Sequence, residues 1–306
     1  MPCIFIVVLN WNGLENTLGC LQSLAQLRSQ NHHIIVVDNH SDLNPKAAIA
    51  AQFPQVEVLE NQENLGFAGG CNRGIQLALD RGADWVLLLN NDTQVDPQLL
   101  HAFAQGIADH PQGGAFGAKI YQAQRPDLLE FCGGDYVAKS ARFTNRGYHQ
   151  RDQGQWDQPQ QSDYLTGCTL LLKREVLEQV GLLHEPYFLL WEDLDLGWRI
   201  RRSGWQLWVI PQAQVWHQGS ASFKGGRWAA HYWYFDARNQ LLWLERNVGW
   251  RSVLWQSCRR TGKHGWNYLR AKTAGDRQAQ KAALVGIWHY FRRRFGNCPP
   301  WVMGTD

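Results

Sequence analysis

The first hundred residues alternate short apolar runs with apolar stripes at helical spacing, and this alternation restricts the possible folds more than any other feature. The run IFIVVLN is almost continuously apolar and contains several β-branched residues, as is typical of a strand covered on both faces, and IIVVD, VEVLEN and DWVLLLN predict the next three strands. Between the first two runs, leucines recur at positions 14, 18, 21, 24 and 27, the stripe of an amphipathic helix. Strands that alternate with helices in this way predict an α/β fold with a doubly wound parallel sheet.

Clusters of polar side chains follow each of these predicted strands. They occupy positions 10–13, 38–42, 64–72 and 90–92. Because the carboxyl ends of parallel strands meet at one edge of a sheet, we expect the four clusters to converge there. In open α/β sheets a ligand binds at this edge, so the pattern predicts a binding site built from these loops.

Charge divides the chain into two predicted regions. Residues 223–306 hold 15 Lys and Arg against 4 Asp and Glu, together with half of the 16 tryptophans, whereas residues 1–222 are acidic. We expect an α/β domain over 1–222 and a basic, Trp-rich helical region over 223–306 packed on it.

No run of 18 apolar residues exists, which argues against a membrane-spanning helix. The seven cysteines lack CxxC spacing, which favours a reducing compartment over a disulfide framework or a structural zinc site.

Two motifs at strand ends are candidates for binding chemistry. Asn90, Asn91 and Asp92 end the fourth strand, where a carboxylate can bind a divalent cation that in turn holds phosphates; a strand-end turn or a helix N-cap is the alternative. The segment NLGFAGGCNRG carries four glycines between a strand and a helix. Glycines there allow backbone amides to approach a phosphate or a sugar, although a plain glycine-rich turn would have the same composition.

Two further motifs supply a carboxylate and an imidazole. In WEDLDLGW, Glu192 and Asp193 lie among large apolar residues, which predicts a raised carboxyl pKa suited to a base. The alternative is that Asp193 caps a helix; for Asp195 we favour an ion pair with Arg199 one turn later. His217 follows a short strand and could join an oxygen-bound cation, a mixed ligand set that suits Mn²⁺ or Mg²⁺, although lone histidines are more often structural.

Taken together and in order, these motifs resemble glycosyltransferase family 2. The resemblance covers roughly residues 3–245. It rests on the motifs VVLNWNG, VVDNHSD, NLGFAGGCNRG, LLLNNDTQVDP, the YLTGC segment, the WEDLDLGW segment, VWHQGSAS and RNQLLWLERN. The resemblance is strongest to the rhamnosyltransferase-like branch of this inverting family. It implies the GT-A fold, a Rossmann-like and mostly parallel sheet flanked by helices, here with a helical C-terminal extension.

The resemblance also implies roles for individual residues. Asp193 matches the catalytic base, with Glu192 beside it, and Asp92 and His217 match the metal ligands. Asn91–Asp92 stands at the DXD position of the family, with an asparagine in place of the first acid. The nucleotide-sugar contacts implied by the resemblance are Asn10, Asn12, Asp38, Asn39, Asn64, Gly66, Asn72, Asn91, Thr166, Gly167 and Arg238.

The residue types agree with inverting transfer. An acceptor hydroxyl loses a proton as it attacks the anomeric carbon, which one carboxylate base can accept. The leaving nucleoside diphosphate gains charge that Mn²⁺ or Mg²⁺ stabilises. We expect a donor linked to dTDP or UDP, with rhamnose as the first choice, and a glycan or lipid-linked acceptor. The alternatives are a non-catalytic glycan- or nucleotide-binding protein of the same fold, and a sugar nucleotidyltransferase.

The basic region has a predicted partner of its own. Arg292, Arg293 and Arg294 follow Trp288 and Phe291, a composition suited to an anionic membrane surface. The alternative is a helical subdomain whose basic face is solvated or paired with the acidic domain. A nucleic-acid partner is not expected, because no reading module is recognisable. The expected location is the cytoplasm, peripheral to the inner face of the cell membrane.

Overall fold

A computed structural model describes residues 2–29, 31–138, 140–219 and 229–303. The chain divides into two compact units. The sheet unit comprises Met1–Asn64, Gly69–Leu183 and Asp193–Gly219, and the helical unit comprises Leu65–Ala68, His184–Glu192 and Ser220–Asp306. The predicted boundary after residue 222 lies outside the described residues. Two short segments of the first 222 residues thus belong to the helical unit, which a single boundary on the sequence does not anticipate.

The strands belong to the sheet unit. They are β1 (Ile4–Asn10), β2 (His32–Asp38), β3 (Glu57–Glu60), β4 (Trp85–Asn90), β5 (Thr93–Val95), β6 (Gly113–Gln122), β7 (Arg125–Phe131), β8 (Gly134–Val137), β9 (Arg142–Asn145), β10 (Gln160–Gln161), β11 (Thr169–Lys173) and β12 (Gln206–His217). The helices are α1 (Leu14–Leu24), α2 (Lys46–Gln52), α3 (Gly66–Asp80), α4 (Leu99–Asp109), α5 (Arg174–Val180), α6 (Glu192–Arg202), α7 (Ala230–Asn247), α8 (Trp250–Arg270), α9 (Ala274–Phe291) and α10 (Pro300–Met303), with a 3₁₀ turn at Glu185–Tyr187.

The main sheet has ten strands, eight of them in the order β10-β12-β6-β11-β4-β1-β2-β3. The neighbours β4, β1, β2 and β3 are parallel, as the alternating pattern predicts. Strand β11 runs antiparallel to β4 and to β6, and β6 is parallel to β12, so most of the sheet shares one direction. Strands β5 and β7 pair at the side with β12 and β6.

Two elements differ from the sequence-based expectation. The segment WQLWVIPQAQVWHQGSAS predicts two short strands, whereas the structure has the single strand β12 with a shift of register between Ile210 and Gln214. Pro211 lies inside this shift, where the missing amide hydrogen interrupts no regular ladder. The glycine-rich segment was expected to precede a helix, but α3 already begins at Gly66.

The glycines of α3 let the helix pack closely on the sheet. A Cβ atom at Gly74 would lie 2.3 Å from Val7 Cγ1, and one at Gly70 would lie 2.5 Å from Leu9 Cδ1. Both distances are shorter than any normal carbon contact, so the helix could not approach β1 with larger residues. These two glycines therefore serve helix–sheet packing.

In the helical unit, α7 packs against α9 and α8. Gly286 of α9 permits the approach, since a Cβ there would lie 2.4 Å from the carbonyl oxygen of Tyr234. Tyr234 and Phe235 belong to a buried cluster with Phe188, Ala282, Cys298 and Val302. Within the described ranges, the helices include none with both the length and the apolarity required to traverse a bilayer.

Candidate active site

The polar clusters converge at the carboxyl edge of the sheet. Asn10 at the end of β1 pairs in register with Asp38 at the end of β2, and Leu9 pairs with Asn90 at the end of β4. Asn10 Nδ2 donates to Asp38 Oδ1 at 2.8 Å, and both side chains are buried. The convergence predicted from strand order is therefore confirmed for these three loops, and Asn64 of the fourth is hydrogen-bonded to Asn39.

Two hydroxyl groups that the sequence analysis did not select connect these loops. Ser41 Oγ donates to Asp38 Oδ1 at 2.6 Å and accepts the backbone amide of Asn12 at 2.9 Å. Thr17 Oγ1 donates to Asn10 Oδ1 at 2.8 Å and accepts Asn91 Nδ2 at 2.9 Å. Hydroxyls donate and accept at once, so they can join several amides and carboxylates into one network.

A second set of amides surrounds Asn39. Asn39 Nδ2 donates to Asn64 Oδ1 at 2.9 Å, and Asn61 Nδ2 donates to Asn39 Oδ1 at 3.0 Å. The three asparagines thus lie together at the ends of β2 and β3.

Asn72 is used differently, because its side chain bonds both the carbonyl oxygen and the amide of Leu183 at 2.9 and 3.0 Å. This reciprocal pair ties α3 to the segment before residue 184.

Asp92 and His217 are brought together from distant parts of the chain. His217 Nε2 lies 3.1 Å from Asp92 Oδ1, and both side chains are buried. The alignment depends on the antiparallel pairing of β5 with β12, which sets His217 opposite Thr93. The amide of Gln218 also donates to the carbonyl oxygen of Asp92 at 2.9 Å. Residues selected from two separate motifs therefore form one contact.

Glu130 is a member of this group that the sequence analysis missed. Its Oε1 lies 2.8 Å from His217 Nδ1, so the two imidazole nitrogens of His217 face two carboxylates. Burial by itself lowers the pKa of His217, but the adjacent Cys168, Asp92 and Glu130 outweigh it and raise that pKa well above its usual value.

The donor types at Asp92 and His217 fit a divalent cation that also binds phosphate. The described residues contain no group of three or more His, Cys, Asp or Glu side chains arranged to hold a metal. A Mg²⁺ or Mn²⁺ ion bound to nucleotides commonly uses only one or two protein ligands, with phosphate oxygens and water completing its shell. Glu130 on Nδ1 would leave Nε2 of His217 as the metal-binding nitrogen, because a carboxylate at Nδ1 fixes the tautomer and the orientation of the ring.

Asp193 lies at the start of α6 and is held by backbone amides. Its Oδ2 accepts the amide of Gly167 at 3.0 Å, and its Oδ1 accepts the amide of Leu194 at 2.8 Å. Burial raises the pKa of Asp193 above the ordinary aspartate value, although these amides oppose the shift. Asp195, in contrast, forms an ion pair with Arg199 at 2.8 Å, as its spacing predicts.

The segment 166–168 connects Asp193 with the Asp92–His217 contact. Gly167 donates to Asp193, and the next residue, Cys168, accepts the amide of Asn90 on its carbonyl oxygen at 3.0 Å. The Cys168 side chain also interacts with His217. Within the sheet unit, the backbone amide of Gly167 thus holds the Asp193 carboxylate, and the side chain of the next residue, Cys168, contacts the His217 imidazole.

Gly66, Glu192 and Arg238 lie in the helical unit. Gly66 has a φ of 72°, and a Cβ on it would lie 2.4 Å from the carbonyl oxygen of Phe188, so only glycine fits there. Glu192 is buried at the first position of α6. Arg238 is completely buried, which differs from the expectation that it contacts a diphosphate.

The guanidinium of Arg238 binds backbone carbonyls instead. Its NH1 donates to the carbonyl oxygen of Gly296 at 2.6 Å, and its NH2 donates to that of Tyr187 at 2.9 Å. The neighbouring Asn239 donates to the carbonyl oxygens of Tyr187, Leu189 and Leu190 at 2.8–2.9 Å. The physical reason for the correction is that these bonds leave no exposed part of the Arg238 side chain for a phosphate.

The loop held by Arg238 and Asn239 leads directly to Glu192. Phe188, Leu190 and Trp191 have φ values of 65°, 68° and 78°, in a region that costs free energy for residues with a Cβ. Trp191 Nε1 donates to Asp236 Oδ1 at 3.1 Å, which adds a side-chain bond to the backbone bonds. The carbonyl oxygen of Phe188 also accepts the amides of Phe67 and Ala68 at 2.7 and 3.3 Å. The surrounding bonds therefore maintain a strained loop.

Comparison with protein-family models assigns the chain to a family. Residues 2–234 match the model of the family described as glycosyltransferase like family 2. The chain belongs to glycosyltransferase family 2. The match includes every residue of the candidate site except Arg238, and it agrees with the resemblance found in the sequence motifs.

Two curated relatives are named as rhamnosyltransferases. An N-acetylglucosaminyl-diphospho-decaprenol L-rhamnosyltransferase of Mycobacterium tuberculosis is 28% identical over 270 residues, covering 82% of this chain and 86% of the relative. A dTDP-rhamnosyl transferase, RfbF, of Shigella flexneri is 22% identical over 253 residues, covering 80% of each chain. The similarity to rhamnosyltransferases thus extends over most of the chain.

A solved structure agrees on the fold. GalNAc-T7, crystallised with UDP, GalNAc and Mn²⁺, superposes with a TM-score of 0.63 at 13% sequence identity. The superposition covers 95% of this chain, which spans 56% of the length of that chain. The fold is the GT-A fold, with a mostly parallel sheet and C-terminal helices, and the protein is a glycosyltransferase.

Proposed function

We propose that this glycosyltransferase moves rhamnose from dTDP-rhamnose to a glycan or lipid-linked acceptor with inversion at the anomeric carbon. UDP is the second choice for the nucleotide. The names of the two rhamnosyltransferase relatives support the donor sugar, and the RfbF name supports dTDP. The observation that carries the chemistry is the arrangement of residues 166–168 between the Asp193 carboxylate and the Asp92–His217 contact.

Asp193 is proposed as the base. As the acceptor oxygen forms its bond to the anomeric carbon, the bond from that carbon to the diphosphate oxygen breaks and its electron pair leaves with the diphosphate. The proton of the acceptor hydroxyl passes to a carboxylate oxygen of Asp193. Its raised pKa favours this role, because a carboxylate of ordinary acidity accepts a proton less readily. The amides of Gly167 and Leu194 hold the carboxylate in place.

Asp92 and His217 are proposed to hold Mn²⁺ or Mg²⁺. Bound there, the cation would neutralise charge on the leaving diphosphate. Asn10, Asn12, Asp38, Asn39 and Asn64 are proposed to receive the nucleoside, since they form the polar network at the ends of β1, β2 and β3. Gly66, Asn72, Asn91, Thr166 and Gly167 remain proposed donor contacts, whereas the buried guanidinium of Arg238 binds backbone carbonyls.

A lipid-linked acceptor would require the enzyme to work at a bilayer. We therefore propose that the protein is cytoplasmic and peripheral to the inner face of the cell membrane, attached through its basic C-terminal region to anionic lipid. The excess of 15 basic over 4 acidic residues in 223–306 supports this, because the anionic surface of a membrane attracts such a segment.

A panel of nucleotide sugars tests the donor and the cation. Purified enzyme is incubated with dTDP-rhamnose, UDP-glucose, UDP-GlcNAc and GDP-mannose with Mn²⁺, Mg²⁺ or EDTA, and the released nucleoside diphosphate is measured in the presence of polyprenyl-diphosphate-linked GlcNAc. We expect release from dTDP-rhamnose that EDTA abolishes and Mn²⁺ restores. Release that is fastest from another donor, or that persists in EDTA, would contradict the corresponding part of the proposal.

A further inference from the structure

Helix α8 carries large apolar residues on the side that faces away from the helical unit. Its buried residues are Val253, Gln256, Ser257, Arg260 and His264. At 100° per residue these form one stripe, which is the packing face. The opposite side carries Trp255, Trp266 and Leu269, which are 67%, 56% and 77% exposed.

We name the outward face the α8 crest. Its members are the exposed residues Leu254, Trp255, Cys258, Gly262, Trp266 and Leu269. From Leu254 to Leu269 the crest runs for about 22 Å at 1.5 Å per residue. An exposed apolar row of this length on a helix is unusual for a surface in contact only with water.

The charge of α8 indicates what covers this row. The helix contains five basic residues and no acidic ones. Arg260 is buried and binds Asp236, whereas Arg251, Arg259, Lys263 and Arg270 are exposed. The guanidinium of Arg270 lies 4.0 Å from the ring centre of Trp266, so a cation and an aromatic ring share one end of the crest. Trp with Lys and Arg is the combination that favours the headgroup region of a bilayer.

A second copy of the chain is a poorer match for the crest. A two-fold symmetric contact through α8 would bring the basic residues of one helix against those of the other. No acidic residue of α8 is present to compensate this repulsion. An anionic lipid surface offers both an apolar layer for the tryptophans and negative charge for the basic residues.

We propose that the α8 crest inserts into the headgroup region of anionic membranes and is the main membrane-binding element of the protein. The inference deepens the proposed function, because it rests on the proposal that the acceptor is membrane-bound. It also relocates the expected contact, which the sequence analysis centred on residues 292–294. Within that segment Arg293 is engaged in an ion pair with Glu245 at 2.6 Å.

Vesicle flotation of the full chain tests the crest. The vesicles contain either phosphatidylcholine alone or phosphatidylcholine with 30% phosphatidylglycerol, and neither contains an acceptor. The double variant Trp255→Ser with Trp266→Ser is expected to bind the anionic vesicles about tenfold more weakly or worse, since binding scales with buried apolar area. Exchanging Arg259 and Lys263 for Gln is expected to weaken binding about fivefold for each charge.

Leucines of equal exposure provide a matched pair. Leu269 on the crest and Leu43 in the sheet unit are 77% and 80% exposed. Leu269→Ser should reduce flotation, and Leu43→Ser should leave it unchanged. Equal flotation of the two variants and of the wild type would overturn the proposal. So would a dimer in light scattering that the Trp255→Ser, Trp266→Ser variant converts to a monomer without a change in vesicle binding.

A spin label gives a result that does not depend on a destabilising variant. Cys258 is an exposed crest residue, whereas Cys3 is partly buried and the other five cysteines are buried. A nitroxide on Cys258, with Cys3 changed to Ser, should lose accessibility to a water-soluble nickel relaxant when anionic vesicles are added. Unchanged accessibility would overturn the proposal. Binding of dTDP, measured by calorimetry, should be the same for all crest variants, so a failure of the donor assignment would be seen separately.

Discussion

The two units use buried polar side chains for opposite purposes. In the sheet unit, Asn10, Asp38 and Asp92 are buried at strand ends, where Asn10 binds Asp38 and Asp92 contacts His217. In the helical unit, Arg238 and Asn239 are equally buried, but they bind the carbonyls of a strained loop. The comparison teaches that burial of a polar residue does not distinguish a binding group from a structural one. The atoms on which its hydrogen bonds end make that distinction.

The largest expected effect is on the transfer rate of a variant of Asp193 in the sheet unit. Asp193→Asn should lower the transfer rate about 10²–10⁴-fold, because it removes the proposed base, while dTDP binding by calorimetry stays intact. Burial raises the folded-state pKa of Asp193, so its ionised form costs stability once the pH exceeds the unfolded pKa. Asn offers one acceptor oxygen for the two amides of Gly167 and Leu194, and the lost hydrogen bond offsets the gain from removing that charge, so the melting temperature at pH 7 should change little. Retained turnover would refute the base assignment.

The second-largest expected effect is on Mn²⁺ binding by a variant of Glu130. Glu130→Gln should weaken Mn²⁺ binding about 10- to 100-fold, since the carboxylate on Nδ1 orients His217. Mn²⁺ affinity is read by electron paramagnetic resonance, independently of activity. The matched control is Asp127→Asn on the same strand, whose carboxylate pairs with Arg151 at 3.3 Å. Equal Mn²⁺ affinity in the two variants would count against the metal ligands proposed here.

In the helical unit we expect the reverse result, a loss of stability with unchanged donor binding. Arg238→Lys should lower the free energy of unfolding by about 2 kcal/mol, because an ammonium cannot reach the carbonyls of both Tyr187 and Gly296. Thermal melting measures it, with Arg246→Lys near the end of the same helix as the control. If Arg238→Lys weakened dTDP binding at an unchanged melting temperature, Arg238 would be a binding residue after all.

The smallest effect is a displacement of the pH profile. The rate should fall as the pH drops through the pKa of Asp193, because the base must be ionised. Because burial raises that pKa, the rate should begin to fall at a higher pH than it would with an ordinary aspartate as the base. A pH–rate series between 4 and 8 measures it, and the acidic limb should vanish from the residual rate of Asp193→Asn. A wild-type rate that is flat down to pH 4 would contradict it.

Much of the sheet unit follows from the sequence because its strands are buried on both faces. Continuous apolar runs identify β1, β2 and β4, and the parallel order then brings their polar ends together. Asp92 follows the buried strand β4, whereas His217 ends β12, which is only partly buried. The contact between them also depends on β5, which has only three residues and gives no signal of its own.

The missed and misassigned residues have physical explanations as well. Glu130 lies on β7, where the first three residues are exposed and the pattern is too weak to predict a strand. Arg238 lies in the middle of α7, where residues 237–244 are all buried. A helix covered on all sides has no polar face, so its pattern does not distinguish a buried arginine from an exposed one. Its hydrogen bonds to a distant loop are visible only in three dimensions.

The carbonyl oxygen of Phe188 has a consequence for motion. It accepts amides from the start of α3, next to Gly66, and it belongs to the loop that continues into Glu192. The start of α3 and the loop around residue 188, which are far apart in the chain, are thus joined by two hydrogen bonds to one carbonyl oxygen. Any displacement of the start of α3 must therefore carry residue 188 with it or break these two hydrogen bonds.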